Sequence, residues 1–157
     1  MNIYLISVGN RMPSWVVNGY EEYARRLTGE CHLRLLEVAP GHRGRKADIK
    51  RTLQDEGERM QKAIPKGCQI IALDVLGLAW NTEQLSERLG NWMGDGRDLA
   101  LLVGGPEGLS ADCLRRAEVR WSLSPLTLPH PLVRVVVAEQ LYRAWSLLRN
   151  HPYHRAG

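Results

Sequence analysis

The chain has few cysteines and no cysteine pair. Cys31, Cys68 and Cys113 are odd in number and far apart, with no C-x-x-C, which argues against a disulfide framework or a structural zinc site and fits a reducing cytoplasm. No apolar run reaches the roughly 18 residues that a membrane span needs. The short run Ile3-Tyr4-Leu5-Ile6 before Gly9 has no basic leader, so it reads as a strand rather than a signal peptide. Internal repeats, low-complexity tracts and linkers are missing as well. Pro and Gly fall at element ends, so residues 1–157 read as a single domain. No Gly-Lys-Ser/Thr closes a phosphate loop, and Val8-Gly9-Asn10-Arg11-Met12 after the first strand does not supply a G-x-G-x-x-G. That counts against a nucleotide-dependent oxidoreductase on an ordinary doubly wound sheet. Charge is only mildly one-sided: 21 Lys and Arg against 17 Asp and Glu, net +4. This permits an anionic partner without demanding one.

What is present alternates strand with helix. Asn2 to Val8 reads as a strand. A helix follows from near Ser14, a candidate N-cap, with Val16, Tyr20, Tyr23 and Leu27 at helical spacing. His32 to Val38 is a strand whose alternation is broken by Arg34 and Glu37, which suits a peripheral position. The next helix, to about Lys62, is expected to bury Ile49, Leu53 and Met60. Cys68 to Asp74 looks like a strand covered on both faces, and Asn81 or Thr82 can cap the helix through Leu85, Leu89 and Trp92. Leu99 to Val103 is the next strand. The alternation implies an α/β domain, a mostly parallel sheet flanked by helices.

Three stretches carry chemistry. In Gly41-His42-Arg43-Gly44-Arg45-Lys46-Ala47-Asp48-Ile49-Lys50-Arg51, five Lys or Arg fall in eleven positions beside two glycines. Such a segment is either a phosphate grip or a solvated loop. Leu101-Leu102-Val103-Gly104-Gly105-Pro106-Glu107-Gly108 is an apolar run ending in a glycine loop, either a tight turn or backbone brought close to a ligand. Glu107 there would repel a polyphosphate and tolerate a cation. Leu73 and Asp74, at the carboxyl end of their strand, lie where open parallel sheets collect ligands.

The third stretch, Arg120 to Pro131, alternates leucines with hydroxyl residues and prolines. It cannot continue as a helix or a central strand, and reads as an extended loop offering backbone to a ligand. Pro131 is placed as the first residue of a final helix to about Arg149, apolar nearly all round, which is either buried or packed on a second subunit. Glu139 and Arg143 are spaced to pair on its surface. The tail His151-Pro152-Tyr153-His154-Arg155 can stack on and hydrogen-bond a nucleobase, or be a frayed terminus. A metal site at His151 and His154 lacks a third ligand.

Leu-Val-Gly-Gly-Pro-Glu-Gly, Leu-Thr-Leu-Pro-His, Val-Ala-Glu-Gln-Leu-Tyr-Arg-Ala and Pro-Tyr-His-Arg, in this order and spacing, resemble the RlmH family over essentially the whole chain. The resemblance implies a SPOUT-class methyltransferase with a C-terminal trefoil knot, acting as a cytoplasmic homodimer with no DNA or membrane partner. It further implies that the enzyme uses S-adenosylmethionine to methylate N3 of a pseudouridine in the helix-69 loop of 23S ribosomal RNA, in the assembled ribosome. By matched motifs, Leu73, Gly104, Leu123, Ser124, Pro125, Leu126, Thr127 and Leu128 are expected to hold the cofactor, and no metal is expected. The acceptor is a protonated imide nitrogen, so the site must take a proton or stabilise the imidate. His130 and His154 are of the residue type suited to the first task, Arg143 and Arg155 to the second, and Tyr153 is expected to close over the base with the rest of the tail. A non-catalytic ribosome-binding protein is the rival reading, for which the basic segment alone would suffice.

Overall fold

The structure is a computed structural model that describes residues 1–42 and 48–155. Arg43 to Ala47, the middle of the basic segment, lie outside the described residues. The elements run β1 (Asn2–Val8), α1 (Ser14–Ala24), β2 (His32–Val38), α2 (Ile49–Ala63), β3 (Gln69–Ala79), α3 (Thr82–Asp95), β4 (Leu99–Val103), α4 (Ala111–Arg116), β5 (Val119–Ser122) and α5 (His130–Leu148), with a 3-10 turn at Pro152–His154. All strand pairings are parallel, in the order β2-β1-β4-β3-β5. The expected parallel sheet is found, and β2 with its broken alternation lies at an edge. Because the strands are parallel, their carboxyl ends emerge together on one side.

Side-chain parity builds a layer on each face of the sheet. In β4, Leu99, Leu101 and Val103 join the cluster under α1, α3 and α5, while Ala100 and Leu102 join the cluster under α2 and α4. All five residues of β4 are buried. Truncating one of its leucines to alanine would cost about 2–5 kcal/mol.

Helix ends follow local chemistry. Asn81 and Gln84 form a reciprocal capping box at the start of α3, and Gly96 ends it in a left-handed conformation. Asp48 caps α2 by accepting from the Lys50 and Arg51 amides. Ser14 does not cap α1: Pro13 holds the cap position, and its carbonyl takes the Val16 and Val17 amides. Helix α5 starts one residue earlier than expected, at His130, with Pro131 second. A missing amide costs nothing in a first turn, where no intrahelical acceptor exists. Ile49 is not on the buried side of α2 but 57% exposed, because the buried stripe runs through Thr52, Glu56 and Met60 and begins after it. Arg120 to Ser122 belong to a short edge strand rather than to a loop.

The all-round apolarity of α5 is largely absorbed within the chain. Val133, Val137, Ala138 and Leu141 face the sheet. On one flank Gly19 of α1 admits the Val135 side chain, and on the other the Ser86 hydroxyl of α3 donates to the Ala144 carbonyl at 3.0 Å. Leu132, Val135 and Val136 stay half-buried.

Candidate cofactor site and the C-terminal cluster

The carboxyl ends of β3, β4 and β5 surround a cavity of about 700 Å³, a size typical of small-molecule sites. The loop after β4 forms one wall. At Gly104 the chain folds so closely on itself that a Cβ would lie 2.3 Å from the Gly108 backbone. The Gly108 amide donates to the Gly105 carbonyl at 2.9 Å, with Gly108 at φ +83°, where a side chain is disfavoured. The loop itself, before any ligand, requires its glycines. Glu107 is exposed and does not line the cavity, so the carboxylate available to a ligand there is Asp74 on the neighbouring strand.

The second wall is Leu73, Asp74 and Val75. Here β3 slips register against β5 between Leu73 and Leu78. The slip lets Gly77 pass the Arg120 backbone, where a Cβ would lie within 2.5 Å. The Asp74 carboxylate accepts from the Leu76 amide at 3.1 Å, an Asx turn that fixes the bulge.

The segment after β5 is the third wall. Leu123, Ser124, Leu126, Thr127 and Leu128 line the cavity, and Pro125 does not. Ser122 donates its hydroxyl to the Ser124 carbonyl at 3.0 Å, and the Ser124 hydroxyl accepts from the Leu126 amide at 2.9 Å. Serine hydroxyls therefore brace a segment that cannot form a ladder. His130, at the start of α5, closes the rim. Among the described residues no Lys or Arg is in the lining, whose ionisable groups are Asp74 and His130. Such a pocket offers a polyphosphate nothing to neutralise it, and suits a largely apolar, neutral or cationic nucleoside-like ligand.

The other candidate residues gather elsewhere. Arg143 lies thirteen positions after His130 on the same helix, roughly 20 Å along it at the α-helical rise. The chain reverses at Asn150 (φ 53°) and lays the tail back on α5. Tyr153 donates its hydroxyl to Glu139 Oε1 at 2.9 Å, and Arg143 donates to the same oxygen through Nε at 2.9 Å and through Nη2 at 2.5 Å. The Arg143 guanidinium also sits 5.0 Å from the Tyr153 ring centre. Burial first, then the Glu139 hydrogen bond, push the Tyr153 phenol well above its ordinary range, and the bond to Glu139 raises Arg143. The Nδ1 of His154 is buried without a hydrogen-bond partner. Arg155 is exposed.

The structure thus groups His130 with the residues expected to hold the cofactor and joins Arg143 and Tyr153 through Glu139 in a separate cluster, with His154 next in the docked tail. The tail is docked, not frayed. Glu139, read from the sequence as a surface partner of Arg143, also anchors the tail. Arg134 escaped the sequence reading. Arg134, 2% exposed, donates to Ser7 Oγ at 3.2 Å, Glu37 Oε2 at 2.8 Å and the Gly9 carbonyl at 2.7 Å. An arginine in the otherwise apolar stretch from Leu132 to Ala138, four residues after His130, was the available signal.

A parallel sheet that gathers a glycine loop and a serine-braced segment at its carboxyl edge makes an α/β protein with a cavity of small-molecule size, and its candidate side chains are divided along one helix. Residues 1–154 match the family model described as "Predicted SPOUT methyltransferase". The chain belongs to the SPOUT methyltransferase family. Proteins named "Ribosomal RNA large subunit methyltransferase H" are similar throughout. The one from Methylococcus capsulatus is 61% identical over 155 residues, covering 99% of this chain and 100% of its own. The one from Alkalilimnicola ehrlichii is 63% identical over 156 residues, with coverage of 99% and 100%. Among solved structures, a "Probable Methyltransferase from Bordetella pertussis Tohama I" has the same fold, with a TM-score of 0.55 over 90% of this chain and 95% of that one, at 12% identity.

Proposed function

We propose that the chain is an S-adenosylmethionine-dependent methyltransferase of 23S ribosomal RNA, acting on N3 of a pseudouridine in the assembled ribosome. The observation that carries this reading is the three-walled cavity, whose lining among the described residues has one carboxylate and no Lys or Arg. The names of the relatives at 61% and 63% identity supply the RNA class. The residues present fit the cofactor. Leu73, Leu126 and Leu128 offer apolar surface for an adenine, Gly104 allows close backbone approach, and Ser124 and Thr127 are polar groups in the lining. The trefoil knot, expected from the RlmH resemblance, accompanies this reading.

S-adenosylmethionine supplies an electrophilic methyl group on a sulfonium; on transfer, the sulfur keeps the bonding pair and the acceptor nitrogen gives up a proton. The chain's own task is chiefly to align the acceptor with that methyl group. His130 on the cavity rim and His154 in the tail are the candidate proton acceptors. Arg143 is committed to Glu139, so Arg155, exposed at the end of the described chain, is the freer guanidinium for an imidate. Because the tail is held at Glu139 and Arg143, roughly 14 to 20 Å along one helix from His130, a complete site within one copy would need the tail to leave α5. A homodimer in which the tail of one copy reaches the cavity of the other avoids that cost. The half-buried Leu132 and Val136 offer it surface, and the basic segment from His42 to Arg51 offers phosphate contacts.

The test is methylation with labelled cofactor on naked 23S RNA, large subunits and whole ribosomes, followed by mapping of the modified nucleotide. Label at pseudouridine N3, strongest on whole ribosomes, is expected. Label on a ribose or on uridine C5 overturns the assignment. No cofactor binding by calorimetry, with or without RNA, favours the non-catalytic reading.

A further inference from the structure

One exposed aromatic side chain near the carboxyl edge of the sheet is used by nothing described so far. Trp15, in the first turn of α1, is 57% exposed, although large aromatic rings are normally covered. Its place in the fold is fixed from two sides. Gly19, four residues on and so on the same ridge of α1, is the residue that admits Val135 of α5. Both helices start at the carboxyl edge of the sheet, so Trp15, one turn before Gly19, lies toward the start of α5, where His130 closes the cavity. The turn leading into Trp15 is held against the same histidine. A Cβ on Gly9 would lie 3.5 Å from His130 Cε1 and 3.4 Å from Arg134 Nη2, and Arg134 Nη2 grips the Gly9 carbonyl at 2.7 Å. Gly9 in turn donates its amide to Val38 at the end of β2, at 2.8 Å.

The carboxyl edge therefore runs without a break from the cofactor cavity, across His130 and the Gly9–Pro13 turn, to the end of β2. Asn10, Arg11 and Trp15 are exposed along this path. Beyond it, Arg59 donates to the Ala39 and Pro40 carbonyls, Glu56 accepts the Gly41 amide and Thr52 holds the His42 carbonyl. Four bonds from α2 thus root the near end of the basic segment next to the same turn.

We propose that Trp15 and Arg11 form the acceptor-nucleotide wall of the methyl-transfer cleft, with the Trp15 indole as a stacking surface for a base of single-stranded RNA and Arg11 as a contact to a neighbouring phosphate. Stacking on aromatic rings and cationic tracking of the backbone are how unpaired nucleotides are held. An exposed indole between a methyl-donor cavity and a rooted basic segment has the right neighbours for that ligand. The assignment rests on the RNA methyltransferase reading above and adds to it the surface that presents the acceptor.

The experiment compares wild type, Trp15→Ala, Trp15→Phe and Arg11→Ala in steady-state methylation of ribosomes, with calorimetric cofactor affinity and sedimentation of each variant. Trp15→Ala is expected to raise the KM for ribosomes about tenfold, the size of one base–aromatic stack, with cofactor affinity and sedimentation unchanged. Trp15→Phe, which keeps a ring, is expected to recover most of that loss. Arg11→Ala is expected to lower the slope of log affinity against log salt by about 0.7, one single-strand phosphate. An unchanged KM in Trp15→Ala overturns the proposal, and so does a change in its sedimentation, which would make Trp15 a contact between copies. A wild type that neither binds cofactor nor methylates ribosomes refutes the function itself. An active wild type beside an indifferent Trp15→Ala refutes only this wall.

Discussion

The two ends of α5 are built by different means. At its start, His130 borders a cavity with no Lys or Arg in its walls among the described residues, whose loops are held by backbone bonds, glycine contacts and two serine hydroxyls. Toward its end, Glu139, Arg143 and Tyr153 form a charged network that ties down a short terminal segment. The first end is preformed, because its geometry follows from strands buried in the core. The second depends on a few polar contacts made by a tail that can be detached without touching that core. Holding the methyl donor and handling the acceptor should therefore be separable by mutation.

The largest effect is expected at the first end. Gly104→Val places a side chain where a Cβ already meets the Gly108 backbone at 2.3 Å, so the loop must move and calorimetric cofactor binding should be lost. Because the tail cluster is remote, its docking should survive, read as unchanged protection of the Tyr153 amide from hydrogen exchange. Cofactor affinity within a few-fold of wild type would break the view that this wall is rigid. Next in size is removal of the tail after His151. Cofactor affinity should stay, while single-turnover methylation falls by about 10²-fold or more, the usual contribution of positioned acid–base groups. Intact methylation would remove the tail from the chemistry. Mixing this truncation with Gly104→Val sharpens the comparison further. If the tail works across a dimer, each defective chain supplies what the other lacks and activity returns; if it works within one copy, the mixture stays inactive.

The sequence announced the first end far better than the second. Leu99 to Val103 is an unbroken apolar run stopped by glycines, so the strand and the loop that lines the cavity were both legible. Leu73 and Asp74 could be placed because a strand end in a parallel sheet is a general ligand position. Strand β5 was not legible. Its four residues, Val119 to Ser122, have no alternation of their own and owe their pairing to a bulged β3, whose extension past Asp74 depends on an Asx turn and on Gly77 meeting Arg120. The strand order was hidden for the same reason: it is decided by contacts between segments distant in sequence. The docked tail was equally hidden, since Tyr153 meets Glu139 across a reversal at Asn150 that local propensity does not encode. Glu139 and Arg143 read as a plain surface pair until a third partner joined them.

Arg134 tests whether the first end depends on its polar anchor or only on its apolar walls. Replacing it by Met keeps much of the volume but strips partners from Ser7, the Gly9 carbonyl and Glu37. The loss should be about 3 kcal/mol in urea unfolding, toward the low end for a broken buried ion pair because Glu37 is partly in water. Glu37→Gln, which keeps a hydrogen-bond acceptor, should cost less than half of that. Equal losses would show that the carboxylate charge, not the clamp on the Gly9 turn, is what matters.

Tyr153→Phe should have the smallest effect, about 1 kcal/mol, for one partly exposed hydrogen bond to a carboxylate. Its pH dependence identifies it. The Tyr153 phenol is raised by burial and then by Glu139, so folding favours its protonated form. Below pH ~10, the ordinary tyrosine range, both folded and unfolded chains keep the proton and the stabilisation is complete. Above it the unfolded chain ionises first, and stability falls as pH climbs toward the raised folded value. Burial shifts Tyr20 in the same direction and pushes the Cys31 thiol up to about 11 and the Cys68 thiol upward, so wild type should begin to lose stability above about pH 9, with Tyr153→Phe keeping a shallower decline from Tyr20 and the two thiols. Equal slopes would mean that Tyr153 ionises as freely in the folded chain as in the unfolded one. A phenol held protonated through neutral pH also cannot be the base that takes the acceptor's proton from this docked position. Within the tail the candidate that remains for the function proposed above is His154, whose Nδ1 is buried without a hydrogen-bond partner, since the His151 Nδ1 accepts from the Tyr153 amide.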